Sequence, residues 1–209
     1  MALTDHNTTK NCPAFFKAAK KNGVIPIAGM ELTTAEDIHI VCLFEELDAA
    51  MEFDKFVEGH RIKIKNRVDI FGDQFITDED DNVIGSDEYL LSNATDIAID
   101  DVNELVTSHS GICYPAHIDR EANGVISTLG TFPEECGFFC AEFYDENKKE
   151  EYKNRFPVLE NKKLLVSSDA HYLWDIRDKR DYFEVNDEPY SSQKVRQEIF
   201  SVLRAAKIK

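Results

Sequence analysis

Six residues of this chain carry side chains that bind divalent metals and fall where a sheet would gather them: His6, Glu31, His39, His117, Asp169 and His171. His6 follows a short opening strand at residues 1–4. Glu31 follows an extended stretch at 25–30, His117 one at 112–116, and Asp169 and His171 one at 164–168. His39 stands near the start of its strand, beside the turn that follows Glu31. In parallel α/β folds, sites are built at the C-terminal ends of the strands. Asp169 and His171 are two apart, so in extended backbone both point to one face. A lone histidine is ordinarily a surface or satisfied core residue; it is the set that points to metal. Imidazole with carboxylate suits zinc, manganese or iron(II) better than calcium or magnesium. The five cysteines form no Cys-x-x-Cys pair, which argues against a structural zinc site.

The elements that must position these residues alternate. A helix is expected from about Asn11 to Lys21, with Asn11 as cap, Pro13 in its first turn and Gly23 as its stop. Residues 24–33 read extended, and 38–44 is the clearest strand. Asp48 opens a helix through Phe53 and Phe56 that reaches toward Val68. A helix from Thr95 ends near Gly111. Strands follow at 112–116, 138–144 and 163–168, a polar helix at 148–156, and a further strand at Tyr182–Val185. An amphipathic helix, 191–207, closes the chain. Strand and helix in turn favour an α/β fold with a largely parallel sheet or barrel, in one domain over residues 1–209.

Residues 71–92 interrupt this order. The acidic run from Thr77 to Asn82 reads as a hairpin turn in an exposed excursion. It lacks the glycine and glutamate positions of a calcium loop. The excursion is expected to be surface elaboration, with a lid over the site as the other reading. The basic run at 61–67 reads as a solvated helix face, or else a lip that attracts an anionic substrate.

Charge narrows the partners. Twenty-four Lys and Arg against forty Asp and Glu give a net charge of −16, which repels phosphate polymers and anionic lipid. Long nucleic acid is therefore disfavoured, and a small anionic substrate fits if cations or a metal sit locally. No stretch is long and apolar enough for a membrane span. An odd number of cysteines, read as small buried hydrophobes, suits a reducing cytoplasm.

Five segments occur in an order that identifies the chain's resemblance. They are Leu3-Thr4-Asp5-His6-Asn7-Thr8, Gly29-Met30-Glu31-Leu32-Thr33, His39-Ile40-Val41-Cys42-Leu43-Phe44, Pro115-Ala116-His117-Ile118-Asp119-Arg120 and Ser167-Ser168-Asp169-Ala170-His171. Together they resemble the motifs of the PHP (polymerase and histidinol phosphatase) family. The resemblance implies a distorted (β/α)7 TIM-like barrel holding two or three divalent metal ions, and hydrolysis of phosphate esters. It makes His6, Glu31, His39, His117, Asp169 and His171 metal ligands, with Glu31 bridging two metals. Asp5 matches a position expected to orient a ligand. Arg120 is a plausible phosphate clamp, with an exposed structural arginine as the plain alternative.

The family's His-x-His motif, on the strand before the Asp-His motif, has no counterpart in these residues. The expectation is thus a barrel lacking its first strand, an activity impaired to that extent, and an open sheet edge through which a homo-oligomer could pair. The leading functional reading is metal-dependent hydrolysis of a small phosphorylated metabolite or short nucleotide. The rival is a non-catalytic metal- or phosphate-binding regulatory module. A nuclease or proofreading role rests on family membership alone.

Overall fold

The central sheet is built on a strand with no exposed position. The computed structural model describes residues 1–177, 182 and 184–205. The chain opens with β1 (Ala2–Leu3), then α1 (Cys12–Lys21), β2 (Ile27–Thr33), β3 (His39–Phe44) and α2 (Leu47–His60). The excursion contains α3 (Val68–Phe71) and the hairpin β4 (Phe75–Thr77) and β5 (Val83–Ser86). Next come α4 (Ile99–Ser108), β6 (Gly111–Pro115), α5 (Val125–Leu129), β7 (Cys140–Phe143), α6 (Lys149–Arg155), β8 (Lys163–Val166) and α7 (Ser192–Arg204). All seven residues of β2 are buried. Among the described residues no helix is long and apolar enough to cross a membrane.

The sheet is mixed, not largely parallel as expected. Its order is β1-β2-β3-β6, with β1 parallel to β2 but β3 antiparallel to both β2 and β6. The cause is the short connection at residues 34–38, which can turn the chain back but cannot carry a crossover to a parallel neighbour. β7 and β8 form a separate parallel pair, and β4 and β5 an antiparallel one. The fold is therefore mixed α/β, and the described strands form no closed barrel. The strand expected at Tyr182–Val185 includes Phe183, which lies outside the described residues. Its described neighbours Tyr182, Glu184 and Val185 are not in a strand.

Period-two alternation sorts the sheet into two faces. Ala28, Met30 and Leu32 of β2 join Ile40, Cys42 and Phe44 of β3 in the main core, under α2 and α4. The other face carries Ile27, Val41, Leu43, Tyr114 and Ala116, covered by Phe200 and Leu203 of α7. Glu31 and His39 continue the rows of this second face, where the apolar residues give way to polar ones. β2 and β3 pair closely at Gly29. A Cβ there would lie 2.6 Å from the Cys42 carbonyl oxygen and 2.8 Å from Leu43 Cδ2. The carbonyl is backbone and cannot yield without opening the ladder. Gly29→Ala is expected to cost about 1–3 kcal/mol, read as a fall of several degrees in thermal midpoint.

Two local expectations change. Asn11 does not cap α1 with its side chain. Its Nδ2 donates to Asp5 Oδ2 at 3.0 Å and to the Phe75 carbonyl at 3.2 Å, and its Oδ1 accepts from Thr77 N at 3.0 Å. The basic run at 61–67 is not a helix face. α2 stops at His60, and the run continues as irregular chain bridged to Thr95 and Tyr89. Arg61 is buried, with its guanidinium on Asp87 at 2.9 Å and Glu58 at 3.3 Å.

Candidate metal centre

Antiparallel pairing brings His39 to Glu31. In the β2–β3 register Thr33 faces His39, so the start of β3 lies beside the end of β2. β6 runs back along β3, with Pro115 opposite Ile40, and so delivers His117 to the same edge. β1 runs parallel to β2, and His6 follows it in an isolated bridge with Glu31. One sheet edge therefore collects candidate ligands from strand ends and from one strand start.

The Glu31 carboxylate is the hub. Its Oε1 lies 3.0 Å from His39 Nδ1 and 3.2 Å from His117 Nε2, and its Oε2 lies 3.3 Å from His6 Nδ1. His39 Nδ1 and His117 Nε2 are 3.3 Å apart. Ligand atoms of His6, Glu31 and His39 all lie within 4.8 Å of one another, a spacing that could hold a metal ion. Asp169 and His171 approach from β8. The His171 ring is tilted against that of His6 at 5.8 Å, and His171 Nδ1 lies 3.0 Å from the Asp169 carbonyl. The set is graded from floor to mouth: the His117 side chain is 4% exposed and that of His171 56%.

Electrostatics fit a cation. Burial works to raise the Glu31 carboxyl, but hydrogen bonds from His117 and His39 and the charge of His39 and His6 outweigh it. Glu31 is held well below the usual carboxylate range. Burial lowers His6, against the pull of Glu31. For His117 burial is outweighed by the Glu31 hydrogen bond and charge, and the ring is raised. His117 Nδ1 is buried without a hydrogen-bond partner, and His6 Nδ1 has the 3.3 Å ion-pair contact with Glu31 but no hydrogen bond. Buried ring nitrogens without partners are costly unless something else binds to the cluster.

The backbone is strained at this edge. Asn7, His117 and Asp169 adopt φ of 49°, 28° and 48°, a region that non-glycine residues seldom occupy. Asn7 has an evident reason. Its Oδ1 accepts from Thr33 N at 2.8 Å, and its Nδ2 donates to the carbonyls of Leu91 and Asn93 at 2.7 and 2.8 Å. It ties the loop of His6 to the end of β2 and to the excursion. Buried Asp54 on α2 secures the same loop, accepting from Thr8 Oγ1 at 2.8 Å and Thr9 N at 2.6 Å.

Asp5 supports Glu31 through its backbone, its carbonyl accepting from Glu31 N at 3.1 Å, while its side chain goes to Asn11. Arg120 is paired with Asp169 and stacked over the Tyr144 ring at 5.0 Å. Arg177 covers the same ring at 4.4 Å. Glu142, on β7, was not singled out from the sequence. It is buried below the cluster, hydrogen-bonded to Ser167, and burial pushes it up to about 7. A carboxylate inside an apolar four-residue strand was the available signal. All five cysteines are buried and unpaired. Burial raises Cys12 and Cys136 to about 12, so neither offers a thiolate near neutral pH.

The excursion is not plain surface elaboration: it forms a wall of the cleft in front of the cluster. The cleft, of about 460 Å³, is lined by His6, Glu31, Asp169 and His171 on one side and by residues 71, 73–75 and 90–92 on the other.

Comparison with known proteins agrees with this geometry. No curated protein matches the chain. Among solved structures it is similar to the lesion-specific endonuclease PfuEndoQ from Pyrococcus furiosus, at 15% identity and a TM-score of 0.52. The likeness covers 72% of this chain and 32% of that one, so the chain spans about a third of its neighbour, and the likeness speaks for the fold. The model of the PHP domain matches residues 1–150, which include His6, Glu31, His39 and His117. With the ordered motifs and the strand-edge cluster in agreement, the chain belongs to the PHP domain family.

Proposed function

We propose that this protein is a metal-dependent phosphoesterase that hydrolyses a small phosphorylated metabolite or a short nucleotide. The observation that carries the proposal is the convergence of three imidazoles on the Glu31 carboxylate, with the buried His117 Nδ1 left without a hydrogen-bond partner. His6, Glu31, His39, His117, Asp169 and His171 are the residues that would hold divalent ions, and the mixed nitrogen and oxygen donors suit zinc, manganese or iron. Such ions supply Lewis acidity and a water acidic enough to ionise near neutral pH.

The chain's own residues do the rest. Glu31 stays anionic and fixes the three rings around it. Arg120 offers a guanidinium fork at the Asp169 edge, suited to a phosphoryl oxygen. Water oxygen attacks phosphorus, the bond to the leaving oxygen breaks, and that oxygen takes a proton, giving an alcohol and inorganic phosphate. That proton replaces, in the balance, the one lost by the attacking water; His171, the most exposed of the four rings, marks the open mouth of the cleft. The endonuclease neighbour suggests a phosphodiester instead. The acidic cleft counts against a long one.

Metal stripping and reloading tests the proposal. The purified chain is analysed for metal before and after chelation, then reloaded with Mn, Zn or Fe and assayed for phosphate release. Retained metal with metal-dependent release is expected. Metal bound stoichiometrically without release from any ester would favour the binding-module reading. No metal bound at all would overturn the phosphoesterase reading and the metal-binding module alike.

A further inference from the structure

The wall that faces the cluster has a chemistry of its own. Phe71, Phe75, Leu90 and Leu91 line it, and Phe71 and Phe75 are 55% and 48% exposed. Single exposed apolar residues are ordinary, but a group of them lining a cleft with metal-binding side chains opposite is not. Among the described residues the cleft lining contains no Lys or Arg, and Asp73 adds a carboxylate to the wall. The guanidinium at its edge, Arg120, is already on Asp169.

The wall is fixed to the cluster and does not hang beside it. Asn11 holds Phe75 and Thr77, and Asn7 holds Leu91 and Asn93, from the loop that carries His6. The Gln74 side chain spans the excursion, donating to the carbonyls of Asp87 and Tyr89 and accepting from Leu91 N. Lys10, on the same loop as His6, reaches Asp87 at 3.1 Å. A wall held this way is organised before the ligand arrives, which favours selection over adaptation.

We infer that the excursion is the leaving-group wall of the site, and that the preferred substrates are phosphate monoesters of uncharged aromatic or apolar alcohols. The inference rests on the phosphoesterase reading and sharpens it. The reacting phosphate belongs with the metal ligands. A second phosphate would enter a cleft lined by carboxylates with no Lys or Arg among the described lining residues to meet it, in a chain of net charge −16. A flat apolar leaving group meets Phe71 and Phe75 instead.

The test has a kinetic arm and a binding arm. Manganese-loaded protein is assayed on phenyl phosphate, glycerol 2-phosphate and ATP, and binding of phenylphosphonate and methylphosphonate is measured by calorimetry. Phenyl phosphate is expected to exceed glycerol 2-phosphate in kcat/KM by about tenfold or more, and phenylphosphonate to bind tighter than methylphosphonate by a similar factor. In the double variant F71A/F75A both ratios should fall to within about threefold. Both side chains are about half exposed, and a thermal melt confirms that the fold is kept. Equal ratios in the unmodified protein, or ratios unchanged in the variant, would overturn the inference. Absence of hydrolysis of every ester would instead defeat the phosphoesterase reading, and the phosphonate ratios would still decide the wall.

Discussion

Glu31→Gln should strip the protein of tightly held metal and lower metal-dependent ester hydrolysis by at least about a thousandfold, roughly 4 kcal/mol of transition-state stabilisation. Gln keeps the volume and the Asp5 to Glu31 backbone bond, so β2 stays in register and the fold survives. What disappears is a charge. Three imidazoles converge on this carboxylate, and it is held well below the usual carboxylate range by the hydrogen bonds from His117 and His39 that overcome its burial. A neutral amide cannot balance a divalent ion at the same point, and it leaves the buried rings without an anion. Elemental analysis of the purified variant beside the parent reads the loss directly. Metal retained at the parent's level would mean that the cluster around Glu31 is not where metal binds.

The same substitution changes the pH response of the metal-free protein. His117 is raised because burial is outweighed by Glu31, so its contribution to stability is present below its ordinary value and is lost as pH rises through the raised one. Glu31 acts in the opposite sense: its contribution is present above the ordinary carboxylate value and is lost only in acid. In E31Q the Glu31 contribution vanishes and the His117 one shrinks with it, because Glu31 supplies the largest pull that raises that ring. A urea titration of chelated protein across pH separates the two windows.

Much of this site was legible because the candidate metal ligands sit at strand ends, and strand ends show in an apolar run followed by a polar residue. His6, Glu31 and His117 read that way, and Asp169 with His171 by their spacing. His39 did not fit the rule, standing at a strand's start. The structure explains it: five residues join β2 to β3, so β3 runs backward and its start meets the end of β2. A preference for parallel strands hid what loop length alone could have revealed. Asn11 misled for a different reason. An Asn two residues before Pro13 matches a helix cap, but its side chain is used across 64 and 66 residues of chain, on Phe75 and Thr77. The wall role of the excursion depends on such bonds, and local patterning carries no trace of them.

Glu142 sets the second large expectation, since it is a carboxyl that the fold keeps protonated well above the ordinary carboxylate range. It occupies β7 between the strands that deliver His117 and Asp169, its carbonyl accepts from Ile118 N at 2.8 Å, and its side chain is 5% exposed by residue. Burial pushes it from the ordinary value of 4.5 up to about 7, and the charges of Glu31 and Asp169 add to that against the opposing Ser167 bond and His117. The sign follows from proton counts. Between about pH 4.5 and 7 the folded state holds a proton here that the unfolded state has released, so stability falls as pH rises and levels off above the folded value. The full difference is on the order of 3 kcal/mol. Glu142→Gln retains the shape and an acceptor for Ser167 but has no charge to bury. Chelated E142Q should therefore exceed the parent at pH 8 by roughly 5–10 °C in thermal midpoint, match it near pH 4.5, and show a flatter profile between. Parallel profiles in the two proteins would mean that Glu142 is already ionised in the fold, with His117 or a water carrying the balance.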